Sequence, residues 1–533
     1  MVFHYSSRRS VVTSRAGMVA TSQPLATQAG LNILVNRGNA VDAAVATAAV
    51  LNVVEPMSTG IGGDVFALFY QADSGEVLAL NGSGRSPLAA TPEVFRQRGH
   101  SSVPRHDILA VTVPGAVDAW ERALKSHGTM TLAQVLAPAI RYAQEGFPVT
   151  EIIARQWQYR ASLLEQNEAA RQTYLVDGKR SPHFGEIFLQ PNLARTLRLV
   201  AEGGRDAFYR GPIAEEIVRT SEKLGGLLTL DDFAQHFSTW EEPISTNYRG
   251  YTVYECPPNG QGLSVLLALN ILSGEDIAGR EVDSPDIKHL MIEALRHGMA
   301  DSYAFISDPA LAKVPAVQLL SPEYAATRRA GIDMQRATED VSAGDVSVGE
   351  DTVYLTVVDA QGNAASFINS LYYGFGSGIV AGNTGIALQN RGSGFTLKEG
   401  HPNCIAPRKR PFHTIIPCMV LKDGRLWSSM GVMGGHMQPQ GHVQVLSNMI
   451  DFGMTPQQAL DAPRFAISED LETVALEPEM APEVRDELVK RGHRLVEPNE
   501  FGFGGGQVIV IDPASGARLG GSDPRKDGCA SGY

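Results

Sequence analysis

The chain at residues 349–370 reads Gly-Glu-Asp-Thr-Val-Tyr-Leu-Thr-Val-Val-Asp-Ala-Gln-Gly-Asn-Ala-Ala-Ser-Phe-Ile-Asn-Ser. Residues 353–358 are apolar and rich in β-branched side chains, and residues 364–369 form a second strand-like run. The residues between them, 359–363, have the composition of a turn. This pattern predicts a β-hairpin, from which the rest of the chain is interpreted.

The hairpin places two hydroxyl groups opposite each other. If its register is symmetric about Gln361 with no bulge, Thr352 faces Ser370 across the two strands. Directly opposed residues have Cβ atoms about 4.5–5.5 Å apart, so their hydroxyl groups can form a hydrogen bond. The sequence therefore predicts a pair of hydroxyls at the open end of the hairpin.

Thr352 also stands at the head of a strand, after the flexible acidic run Gly349-Glu350-Asp351. An N-terminal nucleophile hydrolase cuts itself before such a residue. The new α-amino group, with an unperturbed pKa of about 8, then serves as the base for the threonine Oγ. These residues alone leave open the alternative of an ordinary Asp-Thr turn before a strand.

Short motifs run in one order along nearly the whole chain. They are Gly17-Met18-Val19-Ala20, Gly38-Asn39-Ala40-Val41-Asp42-Ala43-Ala44, Gly60-Ile61-Gly62-Gly63-Asp64, Val113-Pro114-Gly115, Asp351-Thr352, Phe375-Gly376-Ser377-Gly378, Lys409-Arg410-Pro411, Gly434-Gly435, Ala462-Pro463-Arg464-Phe465 and Ser522-Asp523-Pro524-Arg525. Together they resemble the γ-glutamyltransferase (glutathione hydrolase) family of N-terminal nucleophile hydrolases.

The resemblance implies an α+β fold, the four-layer αββα sandwich of these hydrolases. It also implies a proenzyme cut between Asp351 and Thr352, with residues 1–351 and 352–533 remaining packed as a heterodimer. The oligomeric state beyond that pair is left open. From the residues themselves we expect strands near 418–421, 426–433 and 507–511, and mainly helical packing over residues 150–345.

In the resembled family the threonine attacks an amide carbonyl, and water or an acceptor amine then releases the acyl group. The matching positions are Thr352 as nucleophile and base, and Ser370 as the hydroxyl that bonds to it. The backbone N–H groups of Gly434 and Gly435 match the donors to the developing oxyanion. Without the resemblance, this glycine pair indicates only a tight loop. The mechanism calls for no cofactor and no metal.

Substrate recognition departs from the glutathione-cleaving members. Ser83 stands where they carry the arginine that binds the α-carboxylate, and Arg85 is predicted to take that role. Gly394 replaces the aspartate that holds the α-ammonium, Tyr372 replaces a substrate-side asparagine, and His413-Thr414 replaces a pair of serines. A buried ammonium without a counter-charge is poorly compensated. The resemblance therefore favours a small carboxylate-bearing amide as substrate.

Two further runs, Gln389-Asn390-Arg391-Gly392 and Pro411-Phe412-His413-Thr414, resemble the branch with oxamate amidohydrolase and cephalosporin-acylase-like members. Asn390, Arg391, His413 and Thr414 thus become candidate substrate-binding residues. The alternatives are a surface arginine on a turn and a histidine that satisfies a local hydrogen bond. Authentic glutathione hydrolase or γ-glutamyltransferase activity remains open, as does an unprocessed, non-catalytic binding protein.

The charge balance argues against several partners. The 533 residues carry a formal net charge of −13, whereas nucleic-acid and anionic-membrane surfaces need clustered Lys and Arg. No stretch approaches the roughly 20 apolar residues of a membrane span. No apolar segment follows Arg8-Arg9, so we expect a cytoplasmic protein whose partner is a small molecule.

Metal and disulfide chemistry have little support in the sequence. The cysteines are dispersed and form no Cys-x-x-Cys pair, so they are interpreted as isolated thiols: Cys256, Cys404, Cys418 and Cys529. His289, Glu293 and His297 recur every four residues on a predicted helix. We expect these three residues to form the solvated face of that helix rather than a metal site.

Overall fold

The protein is described here by a computed structural model that covers residues 9–341 and 352–533. Two seven-stranded antiparallel sheets lie face to face, and helices pack on the outer face of each sheet. The predicted αββα sandwich is thereby confirmed. The predicted cleavage bond involves Asp351, which lies outside the described residues, as does the chain before Arg9.

The strands within the described residues are β1 Val12–Ser14, β2 Met18–Thr21, β3 Asp64–Gln71, β4 Glu76–Gly82, β5 Phe147–Pro148, β6 Ile187–Phe188, β7 Thr239–Glu241, β8 Ile244–Tyr248, β9 Tyr251–Glu255, β10 Val353–Val358, β11 Ala364–Ser370, β12 Cys418–Lys422, β13 Arg425–Met433, β14 Phe465–Ile467, β15 Thr473–Leu476, β16 Arg494–Val496, β17 Gly505–Ile511, β18 Arg518–Ser522 and β19 Cys529–Gly532.

The α-helices of the same residues are α1 Pro24–Val35, α2 Ala40–Val54, α3 Pro92–Gln97, α4 Ala116–His127, α5 Leu132–Glu145, α6 Glu151–Leu164, α7 Glu168–Tyr174, α8 Pro191–Tyr209, α9 Pro212–Lys223, α10 Leu230–Ala234, α11 Gly262–Leu272, α12 Pro285–Phe305, α13 Ala316–Leu319, α14 Pro322–Ala330, α15 Met437–Ile450, α16 Pro456–Asp461 and α17 Pro482–Lys490. Two 3₁₀ turns cover Ile108–Ala110 and Arg391–Gly394. Within the described residues, no helix is long and apolar enough to cross a membrane.

Both large sheets mix strands from either side of residues 342–351. The first sheet has the order β1-β18-β17-β13-β12-β9-β8, and the second has the order β19-β2-β10-β11-β3-β4-β7. In the second sheet, β10 lies between β2 and β11. The two halves of the chain therefore complete each other's sheets.

Side-chain alternation in β10 and β11 divides the interior into separate cores. Val353, Leu355 and Val357 of β10 pack toward helix α2 and its neighbours. Tyr354 and Val358 point the other way, into the apolar layer between the two sheets. Successive side chains of a strand point to opposite faces. Thr352 precedes Tyr354 by two positions, so it is on the face of the strand that is turned toward the other sheet.

The prediction of mainly helical packing is confirmed for the described residues 150–341, which contain α6–α14. The same range also contains short strands that were not predicted: β7 joins the edge of the second sheet, and β8 and β9 form one end of the first. These short strands are half-buried. They form because β12 and β4, distant in sequence, offer them free edges.

The predicted solvated face of α12 is wrong. His289 and Glu293 have no exposed surface, and His297 is only 6% exposed, because α12 is covered by α11, α15 and α17 and by the chain around Thr338. His289 Nδ1 lies 2.7 Å from His493 Nε2. Glu293 Oε1 accepts a hydrogen bond of 2.8 Å from Arg296. His289 and Glu293 thus have polar partners inside the protein instead of facing water.

Candidate active site

Thr352 and Ser370 face each other at the open end of the β10–β11 hairpin. Val353 pairs with Asn369 in the ladder, so the next position sets Thr352 opposite Ser370. Their Oγ atoms are 3.1 Å apart, and both side chains are fully buried. The predicted register is confirmed, whereas the catalytic roles of the two residues remain predictions.

Arg391 extends this hydroxyl pair on the Ser370 side. One terminal nitrogen of its guanidinium donates to Ser370 Oγ at 3.2 Å, and the other donates to Thr414 Oγ1 at 2.8 Å. The guanidinium carbon lies 3.9 Å above the centre of the Tyr372 ring. Arg391 has no exposed surface, so the alternative of a surface arginine is rejected. Burial lowers the pKa of Arg391 to about 10, against the opposing effects of Tyr372 and Asp64.

The chain after Ser370 makes a strained bend. Tyr372 has a φ of +84°, a conformation that L-residues rarely adopt and that is frequent at functional sites. Its N–H donates to Ser370 Oγ at 2.9 Å. Asn390 Oδ1 accepts a hydrogen bond from Tyr373 N at 3.2 Å, and its Nδ2 donates to Arg105 O at 2.8 Å. Tyr372 thus lies against the Arg391 guanidinium, and Asn390 joins this bend to Arg105.

The Gly434-Gly435 pair follows strand β13 at the same end of the sandwich. Both residues have positive φ, +125° and +55°, which favours glycine. Gln261 Nε2 donates to Gly435 O at 2.9 Å and to Thr414 O at 2.7 Å. Among the described residues, neither glycine N–H donates to a backbone carbonyl. The loop is therefore fixed next to Thr414 through Gln261.

His413 lies behind Arg391, in contact with a carboxylate. Its Nε2 is 3.1 Å from Asp64 Oδ2, and its ring makes an edge contact with Phe66. Burial, together with the positive charges of Arg391 and Arg410, holds the pKa of His413 well below its ordinary value. His413 is therefore a neutral imidazole. The sequence did not single out Asp64, whose only signal was its place after Gly60-Ile61-Gly62-Gly63.

Arg85 has a different set of contacts. Its guanidinium lies 4.5 Å from the centre of the Phe237 ring and donates to Phe237 O at 3.2 Å. The neighbouring Arg410 donates to Glu241 Oε1 at 3.2 Å. None of these described contacts joins Arg85 to Thr352 or Arg391. The carboxylate-binding role of Arg85 stays a prediction, and Arg391 is the arginine that lies beside the hydroxyl pair.

A cavity of about 1240 Å³ opens beside the glycine loop, lined by Gly434, His436, Met437 and Glu469 among others. His436 Nδ1 is 2.7 Å from the hydroxyl of Tyr303. Burial, with a contribution from Arg391, lowers the pKa of His436 to about 3. This imidazole is uncharged at neutral pH, so it lines the cavity as a polar but neutral group.

One group in the described part of the chain has the residue types of a metal site. Glu255, Cys418 and His442 bring their ligand atoms within 4.8 Å of one another, and all three are buried. His442 Nδ1 and Glu255 Oε1 form a hydrogen bond of 2.9 Å. Strands β9 and β12 and helix α15, which are distant in sequence, supply the three residues, so spacing could not reveal the group. Only three protein ligands converge, and two of them already bond to each other.

The fold and the site together define a class of protein. A threonine at the head of an inner strand of an αββα sandwich, facing the layer between the sheets, is the arrangement of the N-terminal nucleophile hydrolases. The model of the Gamma-glutamyltranspeptidase family matches residues 26–533. The chain belongs to this family and is an amidohydrolase of it.

Individual relatives agree with that assignment. The chain is 42% identical over 522 residues to the glutathione hydrolase-like YwrD proenzyme of Bacillus subtilis, covering 97% of this chain and 98% of the relative. It is 36% identical over 536 residues to the oxamate amidohydrolase proenzyme of Klebsiella pneumoniae, covering 98% and 99%. The crystal structure of cephalosporin acylase from Bacillus halodurans superposes with a TM-score of 0.93 at 44% identity, covering 100% and 98%.

Proposed function

We propose that the protein is a proenzyme that cuts itself between Asp351 and Thr352. The products are chains 1–351 and 352–533, which stay together as a heterodimer. The supporting observation is Thr352, which stands fully buried at the head of β10 with Ser370 Oγ 3.1 Å away. The similar proteins of Bacillus subtilis and Klebsiella pneumoniae are themselves called proenzymes.

In the cut protein, the α-amino group of Thr352 takes the proton from its own Oγ, which attacks the amide carbonyl of the substrate. Ser370 orients Oγ through the hydrogen bond between the two hydroxyls. The N–H groups of Gly434 and Gly435 stabilise the oxyanion that develops on the carbonyl oxygen. The amine leaves, and water then releases the acyl group, without a cofactor or a metal.

The substrate is a small amide that carries a carboxylate. The observation that carries this proposal is Arg391, a fully buried guanidinium held by two hydroxyls. Within residues 9–341 and 352–533, no carboxylate forms an ion pair with it. A buried charge without such a partner is costly, and a substrate carboxylate compensates it. Tyr372, Asn390, His413 and Thr414 line the subsite, and Arg85 is a second candidate clamp.

A γ-glutamyl substrate is the competing candidate, favoured by the similarity to a glutathione hydrolase-like protein. Such a substrate adds an α-ammonium group that needs a counter-charge. Gly394, at the predicted position of that counter-charge, is a buried glycine of the Arg391–Gly394 turn. We therefore place a carboxylate-bearing amide first. A non-catalytic binding protein is the third candidate, and hydrolysis is proposed over transfer to a peptide acceptor.

Self-cleavage is tested by mass spectrometry and N-terminal sequencing of the purified protein. We expect two chains, the second beginning Thr-Val-Tyr-Leu, and one uncut chain in Thr352→Ala. Thr356→Ala is the matched control, since Thr356 is an equally buried threonine of the same strand face and bonds to Ser429 instead. An intact wild-type chain, or cleavage that survives Thr352→Ala, contradicts the proposal.

The substrate class is tested on the processed protein with three amides: glutaryl 4-nitroanilide, oxamate and γ-glutamyl 4-nitroanilide. We expect turnover of at least one of the first two in preference to the third. Faster release from the γ-glutamyl anilide would establish the competing candidate. A single uncut chain on a denaturing gel, with no turnover of any of the three amides, would favour the non-catalytic binding protein.

A further inference from the structure

Asp64 is a fully buried carboxylate at the first position of β3. Its Oδ1 accepts hydrogen bonds from Gly84 N at 2.9 Å, Gly115 N at 3.2 Å and Gln389 Nε2 at 3.0 Å. Its Oδ2 lies 3.1 Å from His413 Nε2. A Cβ on Gly84 would overlap Val113 O, and one on Gly115 would overlap Gly82 O. The two glycines thus let the backbone come close enough to reach the carboxylate.

These donors are joined to the groups that hold the Arg391 guanidinium. Gln389 precedes Arg391 by two residues, and His413 immediately precedes Thr414. Ser370 is the direct cross-strand partner of Asp64 in the β11–β3 ladder. Arg391 and Thr414 are therefore each within two residues of a side chain that contacts the Asp64 carboxylate. Ser370 is paired with Asp64 itself.

The hydrogen-bond pattern indicates the charge state of Asp64 at neutral pH. His413 Nδ1 accepts a hydrogen bond of 3.4 Å from Ile415 N, so in a neutral ring the proton is on Nε2. His413 is then a donor to Asp64, and all four partners of the carboxylate are donors. A carboxylate with four donors is an acceptor and is ionised. Asp64 thus places a negative charge among the elements that carry Arg391.

We propose that Asp64 is a positioning residue that sets the preference of the site for carboxylate-bearing substrates, by holding Arg391, Thr414 and Ser370 in their mutual arrangement. The inference rests on the proposed function, because it concerns the same Arg391 subsite. Asp64 has no contact with Thr352 or with the glycine loop in the described structure, so it acts through Arg391 and not on the reacting atoms.

The test compares two amides with acyl chains of equal length, glutaryl 4-nitroanilide and pentanoyl 4-nitroanilide. The measured quantity is the ratio of kcat/KM for the charged amide to kcat/KM for the uncharged amide. In Asp64→Asn we expect this ratio to fall about tenfold, mainly through KM for the glutaryl amide. Asp42→Asn is the matched control, because Asp42 is an equally buried carboxylate. It accepts hydrogen bonds from the backbone N–H groups of Thr129 and Met130, and not from groups of the Arg391 subsite. The ratio in Asp42→Asn should equal that of the wild type.

Combining Asp64→Asn with Arg391→Met shows whether the effect passes through the arginine. In the double variant we expect the ratio already found for Arg391→Met alone. A ratio unchanged in Asp64→Asn, or effects that multiply in the double variant, overturns the inference. A different result would contradict the proposed substrate class: the wild type would not prefer the charged amide, or Arg391→Met would not remove that preference. The failure of the proposed function can therefore be told apart from the failure of this inference.

If Asp64→Asn does not fold, two His413 variants test whether the contact between His413 and Asp64 controls the preference for the charged amide. His413→Gln keeps an N–H donor near the position of Nε2, whereas His413→Leu removes it. The ratio should fall less in the first than in the second. Thermal unfolding with and without glutarate gives a readout independent of turnover: the rise in Tm that glutarate causes in wild type should be reduced in His413→Gln and lost in His413→Leu. Equal behaviour of the two variants contradicts the inference.

Discussion

Two fully buried arginines of this protein have opposite surroundings. Arg464 donates to Asp523 Oδ2 at 2.6 Å and to Phe503 O at 3.0 Å, so its charge is compensated from within. Arg391 donates to the hydroxyls of Ser370 and Thr414. The first guanidinium fastens the loop after α16 to the end of β18. The second lies beside the strand-head threonine with polar but uncharged contacts, which is the arrangement expected of a site for an external carboxylate.

The largest effect should come from breaking the internally compensated arginine. Arg464→Met leaves Asp523 buried, with Arg525 as its remaining cationic partner at 3.1 Å. Removing one partner of a buried ion pair costs about 3–5 kcal/mol, and we expect a loss in the free energy of unfolding near the lower end. Denaturant-induced unfolding measures it. A loss below about 1 kcal/mol would remove the basis for treating the two arginines as different.

Arg391→Met should have the reverse profile. No carboxylate is left unpaired, so the free energy of unfolding should change by less than about 1 kcal/mol. The value of kcat/KM for glutaryl 4-nitroanilide should fall about 100-fold, which is about 2.7 kcal/mol. Steady-state kinetics and denaturant unfolding on the same preparation check both halves. Severe destabilisation with little change in selectivity would mean that Arg391 is structural after all.

Arg391→Lys sharpens the distinction between charge and shape. Lysine keeps the positive charge but lacks the planar fork that contacts Ser370 and Thr414 together. We expect kcat/KM for the glutaryl amide to fall about tenfold, with the pentanoyl amide nearly unaffected. Activity equal to that of wild type would show that the subsite recognises the carboxylate by its charge alone.

The carboxylates near the two arginines predict the smallest effect, a difference in pH dependence. Burial raises the pKa of Asp64 to about 6, partly opposed by Arg391. Burial would also raise the pKa of Asp523, but Arg464 and Arg525 hold it below its ordinary value. Asp64 therefore contributes stability that is complete below about pH 4 and is lost as the pH rises through about 6. Asp523 contributes stability that is lost as the pH falls below about 4.

Unfolding measured from pH 3 to pH 7 tests these signs. Asp64→Asn should remove a slope of less than about 1.4 kcal/mol per pH unit between pH 4 and pH 6. Asp523→Asn should instead flatten the loss at the acid end of the range. A wild-type slope between pH 4 and pH 6 that survives in Asp64→Asn would show that this carboxylate does not titrate there.

The hairpin and its hydroxyl pair were predictable because they depend on local pattern. The alternation of residues 353–358 and 364–369 about a turn sets the register, and the structure has Val353 opposite Asn369 as that register requires. Residues 40–54, which are apolar on nearly all sides, form helix α2 and are buried along its whole length. Such features follow from residues that are neighbours in sequence.

Features that distant segments build were less predictable, both in the fold and on the substrate-recognition side of the site. In the fold, the burial of His289 and Glu293 depends on His493 and Thr338, which no pattern within α12 indicates. Asp64 becomes important only when Gly84, Gln389 and His413 converge on it. Arg85, chosen for its place near Ser83, contacts Phe237, and its role in binding a carboxylate stays a prediction. Short strands β7–β9 likewise form against edges supplied from elsewhere in the chain.

The mixed strand order of the two sheets has a consequence for how a severed molecule behaves. β10 and β19 flank β2, and β18 pairs with β1, so neither product of the proposed cleavage contains all the strands of either large sheet. Once unfolded and parted, the two pieces can regain the native state only by meeting in solution. Recovery should then rise with protein concentration, whereas the uncut Thr352→Ala chain should refold at a rate independent of it.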